Sequence, residues 1–147
     1  MAQPDPLVAT VAFLRANTGV ADLAATRVFG EELPPDQVEA VSNGETIQQT
    51  VVIKRAGSGL SVGDNSRVKF SRPRFDVFSY GETPFEAAQL DLACYEALKQ
   101  MVPHTEGACR MFDATLVAGP ISLREEDTQW PFTFRTYLVA VAEVAIA

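Results

Sequence analysis

The side chains that could carry out acid–base chemistry are few and scattered along the chain. The single histidine, His104, lies in the segment MVPHTEG, directly after a long predicted helix, and Asp76 and Asp113 lie on predicted strands beside aromatic residues. Paired carboxylates can transfer protons, but a histidine base needs an orienting partner and a nucleophile. The sequence supplies neither, so we interpret His104 as a solvated loop residue and expect no catalytic residue and no cofactor. The two aspartates are interpreted as outward-facing residues or as partners of the arginines Arg74, Arg110 and Arg135.

Two further segments have the composition, but not the spacing, of ligand-binding motifs. Arg124 to Asp127, with the sequence REED, clusters carboxylates that suit hard cations, but the ligand spacing of a calcium loop is missing. The segment AGSGLSVGDNS is rich in glycine, but no Lys-Ser or Lys-Thr follows and a strand comes next. We expect a charged hairpin tip and a flexible connection, with no metal site and no phosphate site.

Composition and charge describe one acidic globular domain. The 147 residues are 47% hydrophobic and include nine Phe, which is enough to bury a core. A net charge of −7 argues against general binding to nucleic-acid phosphates. Cys94 and Cys109 do not make a disulfide framework and are expected to be reduced and buried. Because no signal peptide and no stretch of about 20 apolar residues is present, we expect a soluble cytoplasmic protein that contacts no membrane.

Capping residues predict two main helices. The first begins at Asp5-Pro6, an N-cap followed by a proline at the first helical position. The second runs from Thr83 to Met101, with the spacing of a capping box at its start and Pro103 after its end. We expect the apolar residues on one side of this helix to pack on a sheet. They are Phe85, Ala88, Leu92, Tyr95, Leu98 and Val102.

Alternation with a period of two predicts the strands. Residues 47–54 alternate regularly, whereas residues 67–80 change phase at Arg72-Pro73, where a bulge or break is expected because proline cannot donate to a ladder. The last third contains ACRMFDATLVAG and WPFTFRTYLVAVAEVA, joined by PISLREEDTQ. In the final strand, the face expected in the core carries Trp130, Phe132, Phe134, Leu138 and Ala140. This order predicts a single α+β domain over residues 1–147, a mostly antiparallel sheet of four to five strands covered on one side by two helices.

The order of the motifs matches a known pattern. An N-terminal helix is followed by ATRVFGEELP, by TVVIKRAG and then by RPRFDVFSYGETPFEAAQLDLACYEAL, a strand ending in Asp-Val-aromatic, a small turn and an alanine-rich helix. The pattern closes with EEDTQWPFTFRTYLVAV, an acidic stretch before an aromatic strand. In this order the chain resembles the tail terminator, or tail completion, proteins of long-tailed bacteriophages and related gene transfer agents. The glycine-rich loop and the EAVSNGE segment have no counterpart in the pattern.

The resemblance implies a structural protein without catalytic activity. Such proteins form a ring, usually a hexamer, that caps the tail tube, stops polymerisation of the tube protein and docks onto the head-side connector or head completion protein. The chain would be a ring protomer, assembled in the host cytoplasm and located in the tail or neck of the virion, with its sheet toward the lumen. An acidic lumen would let DNA pass without specific binding, because it repels the phosphates.

Contacts with other subunits or virion proteins are expected at the polar loops and the proline-broken strand. The expected contact residues are Gly57, Gly59, Asp64, Arg72, Arg74, Arg124, Glu125, Glu126 and Asp127. Two other functions stay open at this point: a head completion or connector protein of the neck, and a small bacterial ligand-binding or enzymatic α+β domain. A closed pocket in which Asp113, Arg135 and His104 converge would favour the enzyme or ligand-binding domain.

Overall fold

The structure is a computed structural model that describes residues 5–32, 47–56, 60–62, 70–126 and 128–143. Three helices and eight strands lie in these residues. The helices are α1 (Pro6–Ala16), α2 (Thr18–Ala24) and α3 (Pro84–Lys99). The strands are β1 (Val28–Gly30), β2 (Thr50–Arg55), β3 (Leu60–Val62), β4 (Phe70–Arg72), β5 (Arg74–Tyr80), β6 (His104–Glu106), β7 (Cys109–Arg124) and β8 (Pro131–Glu143).

The strands form one sheet in the order β1-β2-β5-β8-β4-β3, with β7 pairing β8 and β6 pairing β7. Every pair is antiparallel except β1 with β2. The predicted α+β class is therefore confirmed. The sheet is larger than predicted, with eight strands in place of four to five, and it is mixed. The helical layer contains a third, short helix, α2.

The predicted break at Pro73 is confirmed. β4 and β5 lie on either side of this residue, and both pair with β8. The carbonyl oxygen of Pro73 accepts a hydrogen bond from the backbone N–H of Val139 at 3.1 Å. A proline has no N–H to contribute, so the strand is interrupted here while both of its parts stay paired with β8.

β7 is longer and less regular than predicted. It extends to Arg124, so Pro120 to Arg124, which were expected in the connection, belong to the strand. Its pairing with β8 shifts register between Met111 and Asp113, and twice more before Ile121. At Gly119, φ is +100° and an added Cβ would lie 2.7 Å from the carbonyl oxygen of Phe134. Glycine is required at this irregularity because a side chain would collide with the neighbouring backbone.

The helices start where their capping residues predict. The Asp5 carboxylate accepts a hydrogen bond from the N–H of Leu7 at 2.9 Å, and the Thr83 hydroxyl accepts one from the N–H of Glu86 at 3.2 Å. All three helices contribute to one apolar core on a single face of the sheet, here called the covered face. Its largest fully buried residues include Leu14, Ile53, Phe75, Leu90, Leu98, Met111 and Tyr137.

The predicted packing face of α3 is wrong. Phe85 is 77% exposed, Leu92 is 52% exposed and Val102 is also exposed, whereas Leu98 is buried and Tyr95 is half-buried. The buried residues of α3 are three small ones, two leucines and one aspartate. They are Ala87, Leu90, Asp91, Cys94, Ala97 and Leu98. The prediction selected the side of the helix that carries Phe85 and Leu92, whereas the contact is made by the side that carries Ala87, Leu90 and Cys94.

The predicted core face of β8 is also reversed. Tyr137, Val139 and Val141 are buried on the covered face, whereas Phe132 and Phe134 lie half-buried on the other side of the sheet. Alternation separates the two faces of a strand but does not say which of them the helices cover.

Within the described residues, no single helix has the length and apolar character needed to cross a membrane. Helices α1 and α2 taken together meet that criterion of length and composition, with a bend of 81° between them.

Candidate protein-interaction site

The face of the sheet opposite the helices, here called the open face, is apolar at its centre. Neighbouring residues that pair across strands lie on the same face, so the register defines three rows across β2, β5, β8 and β7. The rows are Lys54–Asp76–Thr136–Ala118, Val52–Phe78–Phe134–Ile121 and Thr50–Tyr80–Phe132–Leu123. Two of the three rows are thus dominated by aromatic and aliphatic side chains.

Three phenylalanines form the middle of the open face. The ring of Phe78 lies 5.2 Å from that of Phe134 and 5.6 Å from that of Phe132, between centroids. These distances are typical of favourable aromatic contacts. Beside them on β7, Ile121 is 42% exposed and Leu123 is 55% exposed. Together these five side chains make a continuous, partly exposed apolar surface.

One end of the open face is closed by a small second core of Ile47, Val52, Tyr80 and Trp130. The Tyr80 hydroxyl donates a hydrogen bond to Glu125 Oε1 at 2.6 Å. Burial raises the pKa of Tyr80 well above its usual range, and the bond to Glu125 adds to this. Tyr80 is therefore a neutral donor that anchors Glu125 against the sheet.

The hairpin tip between β7 and β8 is held by its own bonds. Arg124 Nη1 donates to the carbonyl oxygen of Gln129 at 2.9 Å, and Gln129 Nε2 donates to that of Glu126 at 3.0 Å. Of the four charged residues predicted as contacts, Arg124 and Glu125 thus bond within this part of the chain and Glu126 is exposed. Asp127 lies outside the described residues.

The remaining predicted contact residues divide into two groups. Gly57, Gly59 and Asp64 lie outside the described residues. Arg72 and Arg74 are both exposed, on either side of the break at Pro73, and Arg74 pairs with Leu138 one row beyond Asp76 on the open face. The structure therefore brings Arg74 to the border of the apolar surface, near Lys54, whose Nζ lies 5.0 Å above the ring of Phe78.

The covered face holds a buried ion pair that the sequence analysis missed. Arg135 Nε donates to Asp91 Oδ2 at 2.8 Å, and the Asp91 side chain is only 4% exposed. The guanidinium also stacks on the ring of Tyr95 at 4.3 Å. Burial raises the pKa of Asp91, although its bond to Arg135 acts in the opposite direction. Asp91 is four residues after Ala87 and three before Cys94, a spacing that would have placed it on their helix face.

The residues considered for acid–base chemistry do not converge. His104 begins β6, so its assignment to a loop was wrong; its Nε2 lies 3.3 Å from Glu106 Oε1 and its ring packs against Phe13. These three residues line a depression of about 400 Å³ that neither Asp113 nor Arg135 reaches. The Asp76 carboxylate accepts a hydrogen bond from the Thr136 hydroxyl on the open face.

The described residues also contain no group of three or more His, Cys, Asp or Glu that could hold a metal ion. Cys94 and Cys109 are both buried and not disulfide-bonded, and burial raises the pKa of Cys94 to about 12.

Comparison with solved structures finds the same fold in a virus-like particle. A chain in the solved structure of the virion of a native gene transfer agent (GTA) particle superposes with a TM-score of 0.66 and is 16% identical. The alignment covers 93% of this chain and 94% of that one. At this identity the likeness establishes the fold, over nearly the whole length of both chains. No protein-family model matches the chain, and no curated protein matches its sequence.

Proposed function

We propose that this protein is a non-enzymatic structural subunit of a phage-type virion, and specifically a tail terminator that forms a ring on the end of the tail tube. The observation that carries the proposal is the fold shared with a chain of a gene transfer agent virion, which extends over almost all of both chains. The order of sequence motifs supports the same assignment.

The surface of the protein supports a role in assembly. The apolar surface on the open face and the exposed Phe85 and Leu92 on α3 are features that a monomeric soluble protein rarely presents together. Contacts that repeat from copy to copy would bury both. A ring built in this way is held by one head-to-tail contact repeated around an axis, and six copies would give the hexamer that the sequence resemblance implies.

The bonding partners of the ionisable side chains support a protein without catalytic activity. In the part of the chain that the structure describes, Asp91 is tied to Arg135 and Glu125 to Tyr80. His104 lies beside Glu106 in a depression whose lining contains no serine or cysteine, and whose one hydroxyl group belongs to Thr18. These arrangements suit structural ion pairs better than proton transfer.

The partners in this proposal are other copies of the chain, the tail tube protein, and the head-side connector or head completion protein. DNA would pass through the ring without specific binding, and the net charge of −7 favours this because phosphates are repelled by an acidic wall. We assign the protein to the tail or neck of the virion, with assembly in the host cytoplasm.

The test is electron microscopy of particles produced without this protein. A terminator that caps the tube should leave tails of irregular, excessive length and heads without tails, and expression of the wild-type chain should restore both. Normal tails joined to heads would contradict the proposal. Tails of normal length that fail to join filled heads would instead indicate a head completion or connector protein.

A further inference from the structure

Helix α3 has a second apolar face, which the rest of the described chain leaves uncovered. Phe85, Ala88 and Leu92 follow one another at i, i+3 and i+7 and are all exposed. Residues at this spacing lie on one side of a helix. This outer stripe points away from the sheet, because Ala87, Leu90 and Cys94 occupy the side that packs on it. A 77% exposed phenylalanine on such a stripe is typical of a contact surface.

The open face suits this stripe because it is an apolar sheet face without a helix, and at one end it carries the opposite charge. Helices pack on the apolar faces of sheets, and in the described structure only the covered face carries them. The stripe is flanked by three acidic residues, Glu82, Glu86 and Glu96, and by one cation, Lys99, seven residues after Leu92. At the end near Pro73, the border of the open face carries the cations Lys54, Arg72 and Arg74 beside Asp76, which is bonded to Thr136. At the other end lies Glu125, which is bonded to Tyr80.

The edge of the sheet is a poorer contact surface than its open face. From Asp113 to Arg124, β7 pairs only with β8 among the described strands. However, two register shifts, Gly119 and Pro120 interrupt this stretch. Bulges and prolines at edge strands prevent another strand from pairing with them. The exposed side chains of Ile121 and Leu123, both on the open face, are therefore available for side-chain contacts while continuous backbone pairing is blocked.

We propose that the outer stripe of α3 in one copy packs on the open face of a second copy, with Phe85 against the surface formed by Phe134, Ile121 and Leu123. The contact is head-to-tail, since the two surfaces differ, and it would add a third layer to each sheet. This contact rests on the proposed function only in requiring that several copies of the chain assemble. It also places the centre of the open face between subunits rather than on the wall of the lumen.

Engineered cysteines test the contact in the full-length chain. Phe85→Cys and Leu123→Cys are made as separate proteins, because both positions are exposed whereas the native Cys94 and Cys109 are buried. Mixed under mild oxidation at high protein concentration, the two variants should form a disulfide-linked dimer about tenfold faster than either variant alone, because a specific contact raises the effective concentration of the thiols. High salt should slow the reaction, because opposite charges border the two surfaces.

Val8→Cys is the matched control, because Val8 is 62% exposed on α1, away from the stripe. Mixed with Leu123→Cys, it should cross-link no faster than either protein alone. If the Phe85→Cys and Leu123→Cys mixture reacts at the rate of this control, the contact is wrong. If Phe85→Cys alone dimerises as fast as the mixture, a symmetric helix-to-helix contact replaces it. The cross-linking assay does not depend on tails, so the two proposals can fail separately. If the mixed variants cross-link but particles made without the protein have normal tails, the contact between copies is supported and the terminator function is wrong.

Discussion

The two faces of the sheet are built from different kinds of apolar residue. On the covered face, small side chains of α3 such as Cys94 and Ala97 share one buried core with Val77 and Tyr137. On the open face, Phe78, Phe132 and Phe134 remain half-buried, with Ile121 beside them. Large apolar residues therefore occur on both faces, since Phe75 and Tyr137 are buried on the covered face. Those of the open face form the surface that a further layer would cover.

The largest expected effect lies on the covered face, at the buried ion pair. Arg135→Ala leaves Asp91 unpaired in a buried site and removes the stacking on Tyr95, so it should lower the free energy of unfolding by about 3–5 kcal/mol. Chemical denaturation measures this. Arg74→Ala is the control, because Arg74 is exposed at the edge of the open face. Equal losses of unfolding free energy in the two variants would show that the buried ion pair stabilises the fold no more than an exposed arginine does.

The next effect compares the two sides of α3. Leu90 is fully buried and Leu92 is half-exposed. Leu90→Ala should cost about 2–5 kcal/mol of stability, as other buried leucine truncations do. Leu92→Ala should change it by less than about 1 kcal/mol, since an exposed side chain creates no cavity. If Leu92→Ala lowered the free energy of unfolding by more than Leu90→Ala, the side of α3 that carries Phe85 and Leu92 would be the buried one.

A smaller effect belongs to the closed end of the open face. Tyr80→Phe removes the hydroxyl that bonds Glu125 and should cost about 1–3 kcal/mol. Glu126→Ser, one position further along the tip, should stay within about 0.5 kcal/mol because Glu126 is exposed. If thermal melts of Tyr80→Phe and wild type coincide, the hairpin tip is not anchored through this bond.

The smallest effect is a dependence on pH at the covered face. The pKa of Asp91 is raised from its ordinary value of 3.8, chiefly by burial. The folded state therefore binds this proton more tightly than the unfolded state. The resulting stabilisation is complete below pH 3.8 and is lost as pH rises through the raised pKa. The stability of wild type relative to Asp91→Asn should fall across that window, and a difference that does not vary with pH would contradict the shift.

The sequence predicts the elements of this fold better than their packing. Local rules locate the caps at Asp5 and Thr83 and the break at Pro73, because these depend on a few neighbouring residues. The packing face of α3 could not be predicted, since the helix is apolar on two sides and only the tertiary structure decides which side meets the sheet. For the same reason the three-row surface of the open face, which joins residues from four strands, has no signal in any one segment. Asp91 was missed because a charged residue in a helix usually faces water.

The irregularities of β7 have a consequence for the number of copies that a closed assembly contains. The outer stripe of α3 and the open face lie on opposite sides of one subunit. If they were parallel, copies would stack in a straight column without limit, whereas closure after six copies requires them to be inclined by about 60°. A sheet acquires such inclination from its twist, and bulges increase that twist locally. In the proposed ring, the register shifts between Met111 and Ile121 would contribute to the inclination between the two contact surfaces, and this angle would set how many subunits close the ring.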